Sequence, residues 1–169
     1  MDISRIEAGA RVFKKERFDV CEIARLILIS FENKIEEKQL DVEFDTEYDK
    51  ISIISDRDAV HQILYNLCDN AVKFSNEGAK YSIKIFIVND KEVGISVFNE
   101  GVGIPYEDQP QIFDRFYKSD KSRGLDKTGV GLGLYIVKTM VDNLHGRIIL
   151  ESIPGENCKF TVYFPLPEQ

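Results

Sequence analysis

Asn66 and Asn70 stand four residues apart, and Lys73 follows three further on, in a segment with helical spacing. All three therefore share one face, with Gln62 a turn earlier. A carboxamide oxygen is a neutral, hard ligand of the kind Mg²⁺ accepts beside waters and phosphate oxygens. A lysine in the next turn can neutralise phosphate. An ordinary polar outer face would carry the same residues, so the helix does not decide the matter. Two glycine clusters downstream add weight. Gly101-Val102-Gly103 leaves a strand-like run, where glycine permits positive φ or the close approach of a ligand, although a simple tight turn would explain it too. Thr128-Gly129-Val130-Gly131-Leu132-Gly133 opens a helix-like run, and free amides at such a start form a phosphate nest. Three glycines would weaken a purely structural helix by about 1 kcal/mol each relative to alanine. The order of these features makes ATP binding the leading chemistry.

Two familiar phosphate motifs are absent. There is no GxxxxGK[ST], and neither glycine cluster has GxGxxG spacing ahead of a βαβ unit. The 169 residues suffice for one hydrophobic core, and 43% hydrophobic with 30% charged residues is ordinary for a globular domain. A net charge of −7 speaks against nucleic acid as a partner. The apolar stretch Ile23–Ile29 is broken by Arg25 and falls far short of the ~20 residues that span a bilayer, so no membrane contact is expected. Cys21, Cys68 and Cys158 have no CxxC spacing and suit a reducing cytoplasm as small core residues. Structural zinc is disfavoured, because the two histidines lie far from any cysteine pair.

The elements that would position these groups follow from periodicity. Residues 1–18 are charged, without a sustained apolar period, and read as the tail of a preceding unit; the domain proper is expected over 19–169. Asp19 and Glu22 form a capping box for a helix running to about Gln39. Val42–Asp45 alternates like a strand, with Ile51–Ile53 its expected partner across Tyr48–Lys50. Ser55 and Asp58 form a second capping box, opening a helix to Phe74 that Asn76-Glu77-Gly78 ends. Tyr81–Ile87 and Val93–Phe98 read as an antiparallel hairpin. A short helix is expected over 107–117, a loop over 118–128, and a helix from Val130 to Leu144 stopped by Gly146. Ile148–Leu150 and Phe160–Phe164 close the chain as strands. Helices and mainly antiparallel strands without a βαβ rhythm predict an α+β fold, a two-layer α/β sandwich.

At this point a resemblance becomes specific. The chain resembles the catalytic, ATP-binding domain of bacterial sensor histidine kinases, in the wider group of gyrase, Hsp90 and MutL ATPase domains. Gln62–Phe74 is similar to the family's asparagine box and Asn99–Pro105 to its first glycine box. Ile112–Tyr117 is similar to the phenylalanine box and Gly129–Leu134 to the second glycine box. The likeness covers essentially the whole chain in the family's order. Residues 2–9 resemble the end of the dimerisation helix that precedes this domain in such kinases. Neither His61 nor His145 resembles the family's phosphoacceptor motif.

The resemblance implies a Bergerat-type fold, with a mixed, mostly antiparallel sheet packed against helices, and ATP and Mg²⁺ as ligands. It implies Asn70 as the metal ligand, Asn66 supporting the phosphates, Lys73 on phosphate and Phe74 lining the nucleoside side. Asn99, Gly101, Gly103 and Ile104 would form the adenine pocket; Gly129, Val130, Gly131, Leu132 and Gly133 would hold the phosphates. Phe113 and Phe116 would anchor a lid over 117–128, from which Lys118 would meet the γ-phosphate. Asn66, Lys73 and Lys118 are thus the expected catalytic contributors. At position 99 the family usually has aspartate, which accepts a bond from the adenine amine; Asn99 can accept that bond without charge assistance. The implied activity is protein histidine kinase, passing the γ-phosphoryl group to a histidine on a dimerisation domain outside this chain. The implied partners are that domain and a response regulator receiver domain. The chain itself would be a monomer in the cytoplasm, and the parent a homodimer with membrane anchoring open. The alternative is a regulatory protein-interaction module with weak or lost nucleotide binding, for which Asn99 is the main support. A serine kinase of the anti-sigma type is disfavoured by residues 2–9.

Overall fold

Alternating apolar residues in the two central strands organise the molecule. The structure, a computed structural model, describes residues 12–114 and 133–168. Along the chain lie β1 (Glu16–Asp19), α1 (Val20–Ser30), α2 (Glu32–Glu37), β2 (Asp41–Thr46), β3 (Ser52–Ser55), α3 (Arg57–Phe74), β4 (Lys80–Val88) and β5 (Glu92–Glu100). A 3₁₀ turn (Gln109–Gln111), α4 (Gly133–Asn143), β6 (Arg147–Ile153) and β7 (Asn157–Pro165) follow. Five strands form one sheet in the order β2-β4-β5-β7-β6, parallel only between β2 and β4. At the tip of the β4–β5 hairpin Asn89 and Asp90 both take positive φ, and Lys91 N–H donates to the Val88 carbonyl. This is a primed turn, whose twist matches that of the strands it joins.

Period-two alternation turns Val93, Ile95 and Val97 of β5 to one side of the sheet, where all are buried. They join Ile23 and Ile27 of α1, Ile63, Leu64 and Leu67 of α3, and Val137, Met140 and Val141 of α4 in one core. Each such side chain contributes roughly 1.5–3 kcal/mol on burial. The opposite face is polar, with Ser96 and Thr161 hydroxyls 2.8 Å apart. The result is the expected two-layer α/β sandwich with a mostly antiparallel sheet.

Several local expectations are corrected. Ile51–Ile53 does not pair with Val42–Asp45; β3 pairs antiparallel with β1, while β2 runs parallel to β4. Asp19 explains the exchange, since its carboxylate accepts from both Cys21 N–H and Ile51 N–H at 3.0 Å and draws the two segments together. In the same region Lys14 N–H donates to Asp56 at 2.9 Å. The helix expected to reach Gln39 breaks at Phe31, where the Ser30 hydroxyl donates to the Ile27 carbonyl and competes with the helical ladder. The cap of α3 is Asp56 rather than Ser55, with Ala59 N–H donating to its carboxylate at 2.9 Å. Within 107–114 only a 3₁₀ turn forms, with Pro110 inside it. After α4 it is His145, at φ 61°, that adopts the left-handed conformation expected of Gly146. The Gly146 N–H bonds back to the Val141 carbonyl, giving a Schellman ending. Position 146 needs glycine for another reason, because a Cβ there would lie 2.5 Å from the Tyr163 carbonyl oxygen.

Candidate functional site

The C-terminal half of α3 carries Asn66, Asn70, Lys73 and Phe74, and its register is set by Ile63, Leu64, Leu67 and Ala71, all buried against the sheet. Asn66 and Asn70 are half-buried on the flank, and Lys73 is exposed. Gln62 Nε2 donates to Asn66 Oδ1 at 3.0 Å, which leaves the Asn66 amide nitrogen as the outward donor. Lys73 lies 3.4 Å from Asp69, and Asp69 also faces Lys34 at 3.9 Å. The Lys73 charge is therefore shared with Asp69, an acid that the sequence reading did not single out.

The end of α3 is held by a group that reading also missed. Lys38 Nζ donates to the carbonyls of Val72, Lys73 and Ser75 at 2.7, 2.7 and 3.1 Å. An ammonium on the last carbonyls satisfies acceptors the helix cannot and opposes its negative end. Burial pushes the Lys38 ammonium below the ordinary lysine value. The Ser75 hydroxyl closes the same turn by donating to the Ala71 carbonyl at 2.5 Å.

The first glycine cluster meets this helix end directly. Gly101 bridges Ser75, Asn76 N–H donates to the Glu100 carbonyl, and Gly101 N–H donates to the Glu156 carbonyl. A Cβ on Gly101 would overlap the Phe74 carbonyl oxygen and stand 3.0 Å from Asn99 Nδ2. Gly103 has φ +65°, and a Cβ there would come within 2.6 Å of the Ile153 carbonyl oxygen. Beyond it the backbone of Ile104 is gripped on both sides. Its N–H donates to Ser152 Oγ at 2.9 Å, and its carbonyl accepts from Gln109 Nε2 at 2.9 Å. Ser152 lies 48 residues along the chain from Ile104 and Gln109 five, and no motif marks either.

Asn99 is 3% exposed, at the end of β5 on the helix side of the sheet. In register it stands between Tyr81 on β4 and Cys158 on β7. Its Nδ2 and the Tyr81 hydroxyl are the buried side-chain polar atoms without a hydrogen-bond partner among the described residues. The hydroxyl lies against the Cys68 thiol, and burial drives its pKa above the usual tyrosine range. Burial also pushes the Cys68 and Cys158 thiols up to about 12. These thiols stay protonated and act as weakly polar wall rather than as nucleophiles.

The structure thus brings Asn66, Asn70, Lys73, Phe74, Asn99, Gly101, Gly103 and Ile104 to one end of α3 and β5. Gly133 opens α4, with nothing among the described residues within 4 Å of a Cβ placed on it. Phe113 packs edge-on against Phe160 with centroids 6.0 Å apart, as an aromatic anchor should. Phe116, Lys118, Gly129, Val130, Gly131 and Leu132 lie outside the described residues. Among the described residues no group of three or more His, Cys, Asp or Glu could hold a metal ion. No described helix is long and apolar enough to cross a membrane.

Comparison with known proteins agrees with this geometry. The family model for histidine kinase-, DNA gyrase B- and HSP90-like ATPases matches residues 55–168. The sensor histidine kinase WalK of Bacillus subtilis is 34% identical over 172 residues, covering 100% of this chain and 28% of WalK. The nucleotide-free catalytic domain of histidine kinase ThkA has a TM-score of 0.79 at 29% identity, covering 91% of this chain and 99% of that one. ThkA in complex with the response regulator protein TrrA gives 0.78 at 25% identity, covering 98% and 46%. This chain spans well under half the length of the curated relatives it matches.

Proposed function

The chain belongs to the histidine kinase-, DNA gyrase B- and HSP90-like ATPase family, and from that premise we propose that it is the catalytic domain of a sensor histidine kinase. It binds Mg-ATP and presents the γ-phosphoryl group to a histidine carried on a dimerisation domain of the same kinase. A response regulator then takes the group on, as the partner in the ThkA–TrrA complex suggests. The observation that carries this reading is the Gly101 contact. A backbone pressed onto the Phe74 carbonyl joins the buried Asn99 at the end of β5 to the helix that bears Asn66 and Asn70.

The residues fit the ligand. Glycine at 101 and 103 lets the loop pack against the Phe74 and Ile153 carbonyls, and Asn99 offers a buried Nδ2 without a hydrogen-bond partner among the described residues. Asn70 would hold Mg²⁺ through its carboxamide oxygen, and the ion would draw the phosphate oxygens together and offset their charge. The Asn66 amide nitrogen is turned outward by Gln62 and would donate to phosphate. Lys73 would add charge while leaning on Asp69, and Lys118 is proposed for the γ-phosphate. In transfer, a nitrogen of the acceptor imidazole forms the new P–N bond as the bond from the γ-phosphorus to its bridging oxygen breaks and ADP leaves. This chain contributes positioning and electrostatics to that step, and no covalent nucleophile.

Calorimetric titration with Mg-ADP tests the reading. Binding in the unmodified chain is expected, with Asn70→Ala removing most of its Mg²⁺-dependent part. No heat of binding at millimolar nucleotide would favour an interaction module instead.

A further inference from the structure

We infer that Asn99 opens this site to 6-oxopurine nucleotides, those of hypoxanthine and guanine, alongside adenine nucleotides. The inference rests on the nucleotide reading above and deepens it. Asn99 is 3% exposed, and its Nδ2 has no hydrogen-bond partner among the described residues. Neither of its register neighbours, Tyr81 and Cys158, is bonded to it. Native interiors seldom leave a buried donor unpaired, so this one calls for an acceptor that the described residues do not provide. Gly101 lies beside it, and a Cβ there would stand 3.0 Å from Nδ2.

The chemistry of the side chain decides which acceptor. A carboxylate at this position would be acceptor-only; it would take a bond from an exocyclic amine and repel a carbonyl presented in the same place. A carboxamide carries a donor and an acceptor on one planar group. Among the described residues no bond pins Nδ2, so turning the amide over breaks none of theirs to that atom. One face of the amide accepts from a 6-amino group, and the other donates to a 6-carbonyl. The site then loses the asymmetry from which base selection arises. A site whose polar group is left unpaired by the wrong substrate discriminates strongly, and one that pairs with both does not.

Titration of the unmodified chain with ADP, IDP and GDP in the presence of Mg²⁺ tests this. IDP is the decisive probe, because it carries the 6-carbonyl without the extra 2-amino group of guanine. Dissociation constants for ADP and IDP within about tenfold of each other are expected. Asn99→Asp should tighten ADP and weaken IDP, moving their ratio at least tenfold toward adenine. Rejection of IDP by more than ~100-fold in the unmodified chain overturns the inference, whether or not the variant folds. An unchanged ratio in a folded Asn99→Asp variant does so as well. If ADP, IDP and GDP all fail to bind, the nucleotide reading itself falls; ADP binding with IDP excluded removes only the inference about Asn99.

Discussion

Gly101 and Phe74 lie so close that a Cβ on the glycine would overlap the carbonyl oxygen of the phenylalanine. The loop that leaves β5 and the last turn of α3 are therefore one unit, held by the Ser75–Gly101 bridge and the Asn76–Glu100 bond. The end of β5 that carries Asn99 and the last turn of α3 cannot move independently. The first prediction follows from that contact and from its contrast with a glycine in open space.

Gly101→Ala should destabilise the fold by about 1–3 kcal/mol, the usual cost of forcing an atom into packed structure, and should weaken nucleotide binding. Gly133→Ala meets nothing within 4 Å among the described residues and should leave stability equal or higher, since alanine is the better helix former. If Gly133 serves ligand approach, that variant still binds nucleotide more weakly. Urea denaturation and calorimetry on both variants check the pair; equal stability losses would show that the contact at Gly101 is not the cause.

Lys38→Met keeps the aliphatic stem and removes the ammonium from the carbonyls of Val72, Lys73 and Ser75. A loss of about 1–3 kcal/mol is expected, in the range for hydrogen bonds to a charged group. Lys38→Arg should recover part of it. A midpoint unchanged in urea for Lys38→Met would mean that solvent replaces the cap at no cost.

Stability should fall at alkaline pH for a reason located in the core. The Cys21 thiol is pushed up to about 11, and Cys68 and Cys158 to about 12, from an unfolded value near 9.0, mainly by burial. A raised folded pKa means that the unfolded chain releases its protons first. The stabilisation is complete below pH 9 and is lost as pH climbs toward 11 to 12. Melting temperatures across pH 8–11 should decline, and replacing Cys68 by alanine should flatten the decline while lowering the plateau. A decline of the same steepness in that variant would place the titrating groups elsewhere.

Phosphoryl transfer should need a second component. His61 is exposed on α3 and stacked on Tyr65, and His145 sits in the left-handed turn after α4. Neither resembles the family's phosphoacceptor motif, and the chain alone should not label with γ-³²P-ATP. Adding the parent's histidine-bearing hairpin as a separate polypeptide should give slow, acid-labile labelling, slowed by the lost tether. Lys118→Ala should cut that rate more than it cuts ADP affinity. Strong labelling of the chain by itself, mapped to His61 or His145, would overturn this division of labour.

Legibility in the sequence depended on range. The 3.6-residue period of α3 and the alternation of β4 and β5 are local, and they placed Asn66, Asn70 and Lys73 on a helix and Asn99 where β5 ends. Tyr81 was also within reach, since a turn centred on Asp90 makes residues 81 and 99 equidistant from it and hence partners. Other features are not written locally. β1 is Glu-Arg-Phe-Asp, with a single apolar residue, and is recruited by the two bonds to Asp19. The parallel pairing of β2 with β4 is set by how α3 crosses the sheet. The Lys38 cap and the Ser152 and Gln109 grip on Ile104 join residues 34 to 48 apart, or meet only because a loop folds back.

The place of β7 in the sheet bears on how the polypeptide emerges during synthesis. It is last of the strands in chain order yet interior in space, pairing with β5 on one side and β6 on the other. Until Phe160, Val162 and Phe164 have left the ribosome, Val97, Ile95 and Val93 have no neighbour on that flank. A nascent chain halted after β6 would present the unpaired edge of β5 to any extended segment nearby, its own or another's. Translation to residue 165 is therefore a condition for a closed sheet, and C-terminal truncations into β7 should yield insoluble rather than merely inactive protein.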